Sequence, residues 1–230
     1  ASRRRESWWW CWCCWQRWRC GCRGSMRVIP WAILELAARR MGFLFYHGLA
    51  GAYTGGGDYM PLRLYLLTGL SQLVPLLNAI PAAFNDPLPF ATKLLIKLPG
   101  LTADIIAIVV MYAWALRWLP YRRAALVSAL YTLAPPIWID VAWWGQVDNL
   151  LVLPMIGTVV LLDRAGGRWS WLCWVLALLI KPQAIVLAPL LYTATLRLHG
   201  GRGVLHGGTI ALTTFVLVSL PLIMAQQGRG

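Results

Sequence analysis

From residue 61 onward, long apolar runs alternate with short knots of charge, glycine and proline. Apolar runs of this length, without a period of two, read as helices. The pattern predicts helical segments at 62–80, 94–118, 124–139, 149–162, 169–180, 184–196 and 206–225. Pro61 suits the first turn of the first segment, and Pro75 should kink it. Three prolines and Asp86 mark 81–89 as a connection. Pro135-Pro136 stops or bends the third segment, and Lys181-Pro182-Gln183 separates two short ones that form a hairpin. Several of these runs fall below the roughly 20 residues that cross a hydrocarbon core. They are expected to tilt into thin regions or to be partial spans covered by neighbours. Upstream, 26–47 alternates Trp31, Ile33, Leu34, Leu36 and Ala37 with Glu35, Arg39 and Arg40. Glu35 can pair with Arg39 one turn on, so an amphipathic helix at the membrane interface is expected. A glycine-rich loop, 50–59, follows it.

Composition points to lipid as the solvent. Of 230 residues, 59% are hydrophobic and 13% charged, and the mean hydropathy is +0.61. A soluble domain carries about 25% charged residues. The expected class is therefore all-α, a multi-pass helical integral membrane protein with six or seven helices, placed in a bacterial inner or plasma membrane. The formal net charge of +13 does not imply nucleic-acid binding, which calls for a continuous basic stripe. Here Arg117, Arg122 and Arg123, then Arg164 and Arg168, then Arg197 and Arg202 punctuate apolar runs. Such loops belong on the cytoplasmic side. The 140–148 loop has two acids and no base, so it faces outward, and Lys181 falls on the same outer side. Three regions follow: 1–25, 26–60, and a polytopic membrane unit at 61–225. Residues 1–25 hold six Trp and five of the six Cys. That mixture resembles GC-rich DNA read out of frame, and a truncated or frame-shifted N-terminus is expected.

Polar chemistry collects at the ends of the apolar runs. In Trp143-Trp144-Gly145-Gln146-Val147-Asp148-Asn149, Gly145 permits a tight turn, and Asp148 suits a helix start. The stretch serves either as an interfacial anchor with a cap or as a wall for a polar substrate. Lys181, before Pro182 and Gln183, either snorkels or holds a phosphate as a point charge. Lys97 and Asp104 lie on one helix face, and an ionisable group inside a membrane segment is a functional candidate; Asp104 serves equally as a structural partner. Asp58-Tyr59-Met60-Pro61 with Tyr65 puts a carboxylate at the mouth of a helix, as a cap or as a group positioning an acceptor. No metal-ligand spacing and no nucleotide-binding or hydrolase motif is present. No cofactor is required by any of these motifs, and a divalent metal is left open.

In this order, the Trp31 helix, Asp58-Tyr59-x-Pro61-x-x-x-Tyr65, Lys97-Leu-Pro-x-x-x-x-Asp104, Trp144-Gly-Gln-x-Asp148 and Lys181-Pro-Gln183 resemble the GT-C membrane glycosyltransferases. The likeness spans 28–200 and is to the polyprenyl-phosphate-sugar mannosyl- and glucosyltransferases. It implies sugar transfer, with inversion, from a polyprenyl-phosphate donor on the extracytoplasmic side. Donor or substrate contacts would fall to Asp58, Tyr59, Lys97, Asp104, Trp144, Gln146, Asp148, Lys181 and Gln183. Lys97, Lys181 and Arg63 would serve the phosphate. The family's catalytic carboxylate lies just before the amphipathic helix, where this chain reads Gly24-Ser25-Met26-Arg27, with no acid. The general base is thus unassigned, with Asp58 the nearest carboxylate, and inactivity of the chain as written is one expectation. The implied partners are the bilayer and the lipid-linked sugar, and not nucleic acid. A secondary transporter or a membrane scaffold without chemistry are the competing classes.

Overall fold

The computed structural model describes residues 29–53, 59–77, 90–140, 148–164 and 167–227. All regular structure among the described residues is helical, with no strand. Region 1–25 lies outside them.

Helix α1 (Ile29–His47) buries Leu34, Ala37, Met41 and Leu44, a spacing of three and four that forms one stripe. That stripe packs against α2 (Pro61–Ser71) and α4 (Phe90–Ala115) in one core with Leu64, Leu67, Leu95 and Ile96. The expectation of a helix lying free at an interface is corrected to this extent: its apolar stripe meets protein. Arg40, expected on the polar face, is 7% exposed and donates from Nη2 to the Ala52 carbonyl at 2.8 Å. The side chain of Glu35 lies outside the description.

Pro61 opens α2 at its first position, and the N-cap is Met60, with no side-chain cap. Asp58, expected as a cap, lies outside the described residues. A single kinked helix over 62–80 is also corrected. Helix α2 ends at Ser71, Gln72 and Leu73 turn, and α3 (Val74–Leu77) restarts. Pro75 lacks an N–H and its ring crowds the Ser71 carbonyl, which breaks the ladder there.

Helix α4 carries Pro99 inside it. Helices α5 (Tyr121–Leu133) and α6 (Pro135–Trp138) are separated by Ala134, extended at ψ 118°. The proline that follows disfavours the helical region for that residue, as the Pro135-Pro136 pair predicts. Then come α7 (Asp148–Asp163), α8 (Gly167–Ile180), a 3-10 turn (Pro182–Leu187) and α9 (Ala188–Gln227). Gly200, at φ 65° and ψ −172°, interrupts α9. The break falls in the basic 197–202 stretch that separates the two predicted apolar runs.

Among the described residues, two spans are long and apolar enough to cross a membrane, Thr92–Ala115 and Pro182–Ala225. Helix α8 is apolar but has only 14 residues. Just 11% of the most apolar window of Pro182–Ala225 is buried, leaving Leu190, Leu198, Leu205, Leu212 and Leu217 uncovered. Water would penalise so continuous an apolar surface, whereas lipid would not.

Helix α8 packs between α7 and α9, and α7 lies against α4. Asn149 bonds Asp104 near the start of α7, and Trp114 bonds Asp163 at its end. The two bonds show that α4 and α7 run side by side in the same direction. Asp104, midway along α4, is thus level with the beginning of α7.

Candidate functional site

The site is built at the start of α7 and the end of α8. Pro182 cannot continue a helix and forces the residue before it out of the helical region. Lys181 is accordingly extended, at φ −156° and ψ 132°. Its N–H still closes the last turn of α8 on the Ala177 carbonyl, and its own carbonyl accepts from Ala184. Trp174 Nε1 donates to the Ala184 carbonyl at 2.9 Å, pinning the 3-10 turn to α8. Lys181 is therefore held on both sides by backbone.

From that position Lys181 Nζ meets Asp148 Oδ2 at 2.6 Å. The two side chains are 26% and 33% exposed, open enough for a ligand to compete with the pair. Asp148 is the first residue of α7, where the helix dipole favours a carboxylate. An ammonium carries three donors, and one is committed to Asp148. Among the described residues the other two have no acceptor.

Next to Asp148, the buried Asn149 donates to Asp104 Oδ2 at 2.6 Å and, at 3.4 Å, to the Ile137 carbonyl. Tyr131 O–H reaches Asp104 Oδ1 at 3.4 Å. Four helices thus converge: α4 gives Asp104, α5 Tyr131, α7 Asp148 and Asn149, and the end of α8 Lys181. Asp140, just past α6, completes the group. Its Oδ2 is buried and has no hydrogen-bond partner among the described residues. Burial holds the Asp140 carboxyl above the usual range; repulsion from Asp148 and Asp104 adds to this, and Lys181 opposes it.

Of the residues singled out in sequence, Asp104, Asp148 and Lys181 share this end of the bundle. Gln183 is exposed two residues beyond Lys181. Lys97 sits on α4, about 10 Å further along its axis than Asp104. Trp144, Gln146 and Asp58 lie outside the described residues. Tyr59 belongs to a second group, under the Arg63 guanidinium at 4.0 Å and the Arg40 guanidinium at 5.7 Å. Tyr53 O–H donates to the Tyr59 carbonyl at 3.1 Å.

Sequence reasoning did not single out Tyr131, Asp140 or Arg40 for the site. Asp140 carried a usable signal, an acid opening a loop without bases. The others depend on which helices cross. Among the described residues no group of three or more His, Cys, Asp or Glu is close enough to hold a metal ion, so no step is derived through one. Compared with known protein families, curated proteins and solved structures, the chain matches none.

Proposed function

We propose that this chain is a multi-pass membrane glycosyltransferase of the GT-C kind. It would take a sugar from a polyprenyl-phosphate donor to an acceptor on the extracytoplasmic side. The observation that carries this is the 2.6 Å contact of Lys181 with Asp148. It joins two motifs separated by 33 residues, at the end of the bundle remote from the arginine-rich turns. A cation held by an acid at a helix mouth is suited to a lipid phosphate. When the phosphate enters, the ammonium shares its charge with a departing group in a water-poor groove, where such stabilisation is strong. Asp148 would accept from sugar hydroxyls. The base that takes the acceptor proton is not assigned to any described residue.

The test is made on the full chain in liposomes with a radiolabelled polyprenyl-phosphate mannose, reading donor retention and sugar release separately. Lys181→Gln should weaken donor retention roughly tenfold or more, the scale of one charge-assisted contact, while Arg197→Gln, in the basic stretch at the other end, leaves it unchanged. Donor retention indifferent to Lys181 would sink the proposal. So would counterflow of a free solute without any donor binding, which would favour a transporter.

A further inference from the structure

A cleft lies at the opposite end from Lys181. It has a volume of about 880 Å³ and is lined by Arg168, Trp169, His199, Arg202, His206 and Thr209, among others. Among the described residues no carboxylate lines it. The acid nearest in sequence, Asp163, already accepts from Trp114 Nε1 at 3.0 Å and faces Arg117 at 3.9 Å. Among the described residues neither Arg168 nor Arg202 forms an ion pair; Arg168 lies over the Trp169 ring at 5.4 Å. The cleft also receives the first residues of α8, whose N–H groups have no partner within the helix.

The cleft is constructed by glycine. A Cβ on Gly167 would fall 2.7 Å from the His199 ring, and one on Gly203 would collide with the same side chain. His199 is thus seated between the start of α8 and the second half of α9. Gly200, with its positive φ, turns the chain just after it. Bringing cationic and protonatable groups together without an acid is unfavourable unless an anion joins them. A volume of this size matches small-molecule sites.

We propose that this cleft binds a phosphate group bearing more than one negative charge, carried by a lipid headgroup or by a soluble diphosphate. Two guanidiniums supply planar paired donors for phosphate oxygens. His199, His206 and the α8 N–H groups complete the shell. The proposal is independent of sugar transfer, since it uses none of the residues around Lys181.

Two arms separate the sources. In neutral detergent, inorganic pyrophosphate is titrated into the full chain by calorimetry. In nanodiscs of phosphatidylcholine, alone or mixed with phosphatidic acid, native mass spectrometry counts the phosphatidic acid retained. Binding in the first arm alone assigns a soluble ligand, and retention in the second alone assigns a lipid. Both together assign recognition of the phosphate itself. In each case affinity should fall with added salt and drop roughly tenfold or more for each guanidinium removed in Arg168→Gln and Arg202→Gln. Arg123→Gln, an exposed arginine on α5 outside the cleft lining, should leave it unchanged. Should the double variant lose helicity by circular dichroism, Arg202→Gln alone, at an exposed position, carries the comparison. No binding in either arm, or binding that survives the loss of the arginines, overturns the proposal.

Discussion

Lys181 and Asp140 show how neighbours decide what a charged side chain does. Pro182 fixes the backbone of Lys181, and the α7 terminus supplies its counter-ion. Asp140 has the reverse situation, buried beside two other acids with an oxygen that has no partner among the described residues. Its carboxyl is raised above the usual range, so the folded chain holds that proton more tightly than the unfolded chain does. The corresponding stability is fully present below the unfolded value, near about 3.9, and is lost as pH rises through the folded value. Asp140→Asn cannot ionise and escapes that loss. Thermal melts across a pH series should find the variant more stable than the parent at neutral pH, with the difference closing in acid. A variant less stable at neutral pH would show that the ionised carboxylate has a partner. Asp148 and Lys181 were legible in the sequence because glycine and proline flank them and mark helix ends. Arg40 and Tyr131 were not. A helical pattern shows that a residue is on a face, and only the crossing of α1 with α2, or of α5 with α4, decides what covers it.

Proline and glycine set the elements with similar economy. Ala134 before Pro135, Lys181 before Pro182 and Gly200 each end a helix where the sequence says one should end. Pro75 was read as a kink and is a break: Gln72 and Leu73 turn, and α3 restarts and packs against α4. Pro99 behaves the other way: α4 continues through it, held from both sides by α1 and α7. Periodicity alone does not separate these outcomes, since they depend on the packing around each proline. Between helices the small residues decide the approach. Gly207 lies directly against the Trp171 indole, within reach of any Cβ placed there, and Trp171 Nε1 donates to Thr195 Oγ1 at 3.1 Å. Trp171 therefore ties α8 to both halves of α9. Gly207→Ala would push the indole off that bond, an overpacking cost of about 1–3 kcal/mol plus a lost hydrogen bond of about 1 kcal/mol. A drop of several degrees in melting temperature is expected. Gly208→Ala, with open space at its Cβ, is the control. Equal effects from the two would mean that helix propensity, and not contact with Trp171, governs this position.

At the scale of the whole molecule the charges are sorted by end. Asp104, Asp140 and Asp148 gather with Lys181 at the start of α7, whereas Arg117, Arg168 and Arg202 lie at its far end. The 16 residues of α7 separate the ends by about 24 Å. The predicted run 184–196 by itself spans only about 20 Å, too short for a hydrocarbon core of about 30 Å. The structure adds the 3-10 turn Pro182–Leu187 ahead of α9. A 3-10 helix rises about 2.0 Å per residue against about 1.5 Å in an α-helix. At α-helical rise the stretch from Pro182 to the Gly200 break spans about 27 Å, and the 3-10 residues lengthen it by roughly 3 Å, to about 30 Å. Most of the gain over the predicted run comes from the residues flanking it, and the 3-10 rise contributes the rest. In a chain otherwise free of cysteine, Gln183→Cys and Arg197→Cys flank this segment at exposed positions. A membrane-impermeant thiol reagent added to right-side-out vesicles should modify Gln183→Cys at once. Arg197→Cys should react only after permeabilisation if the basic turn takes the cytoplasmic side expected from its charge. Modification of both from the outside would mean that 182–199 lies along one face of the bilayer. The acidic and basic ends would then share a compartment, and the expected orientation would fail.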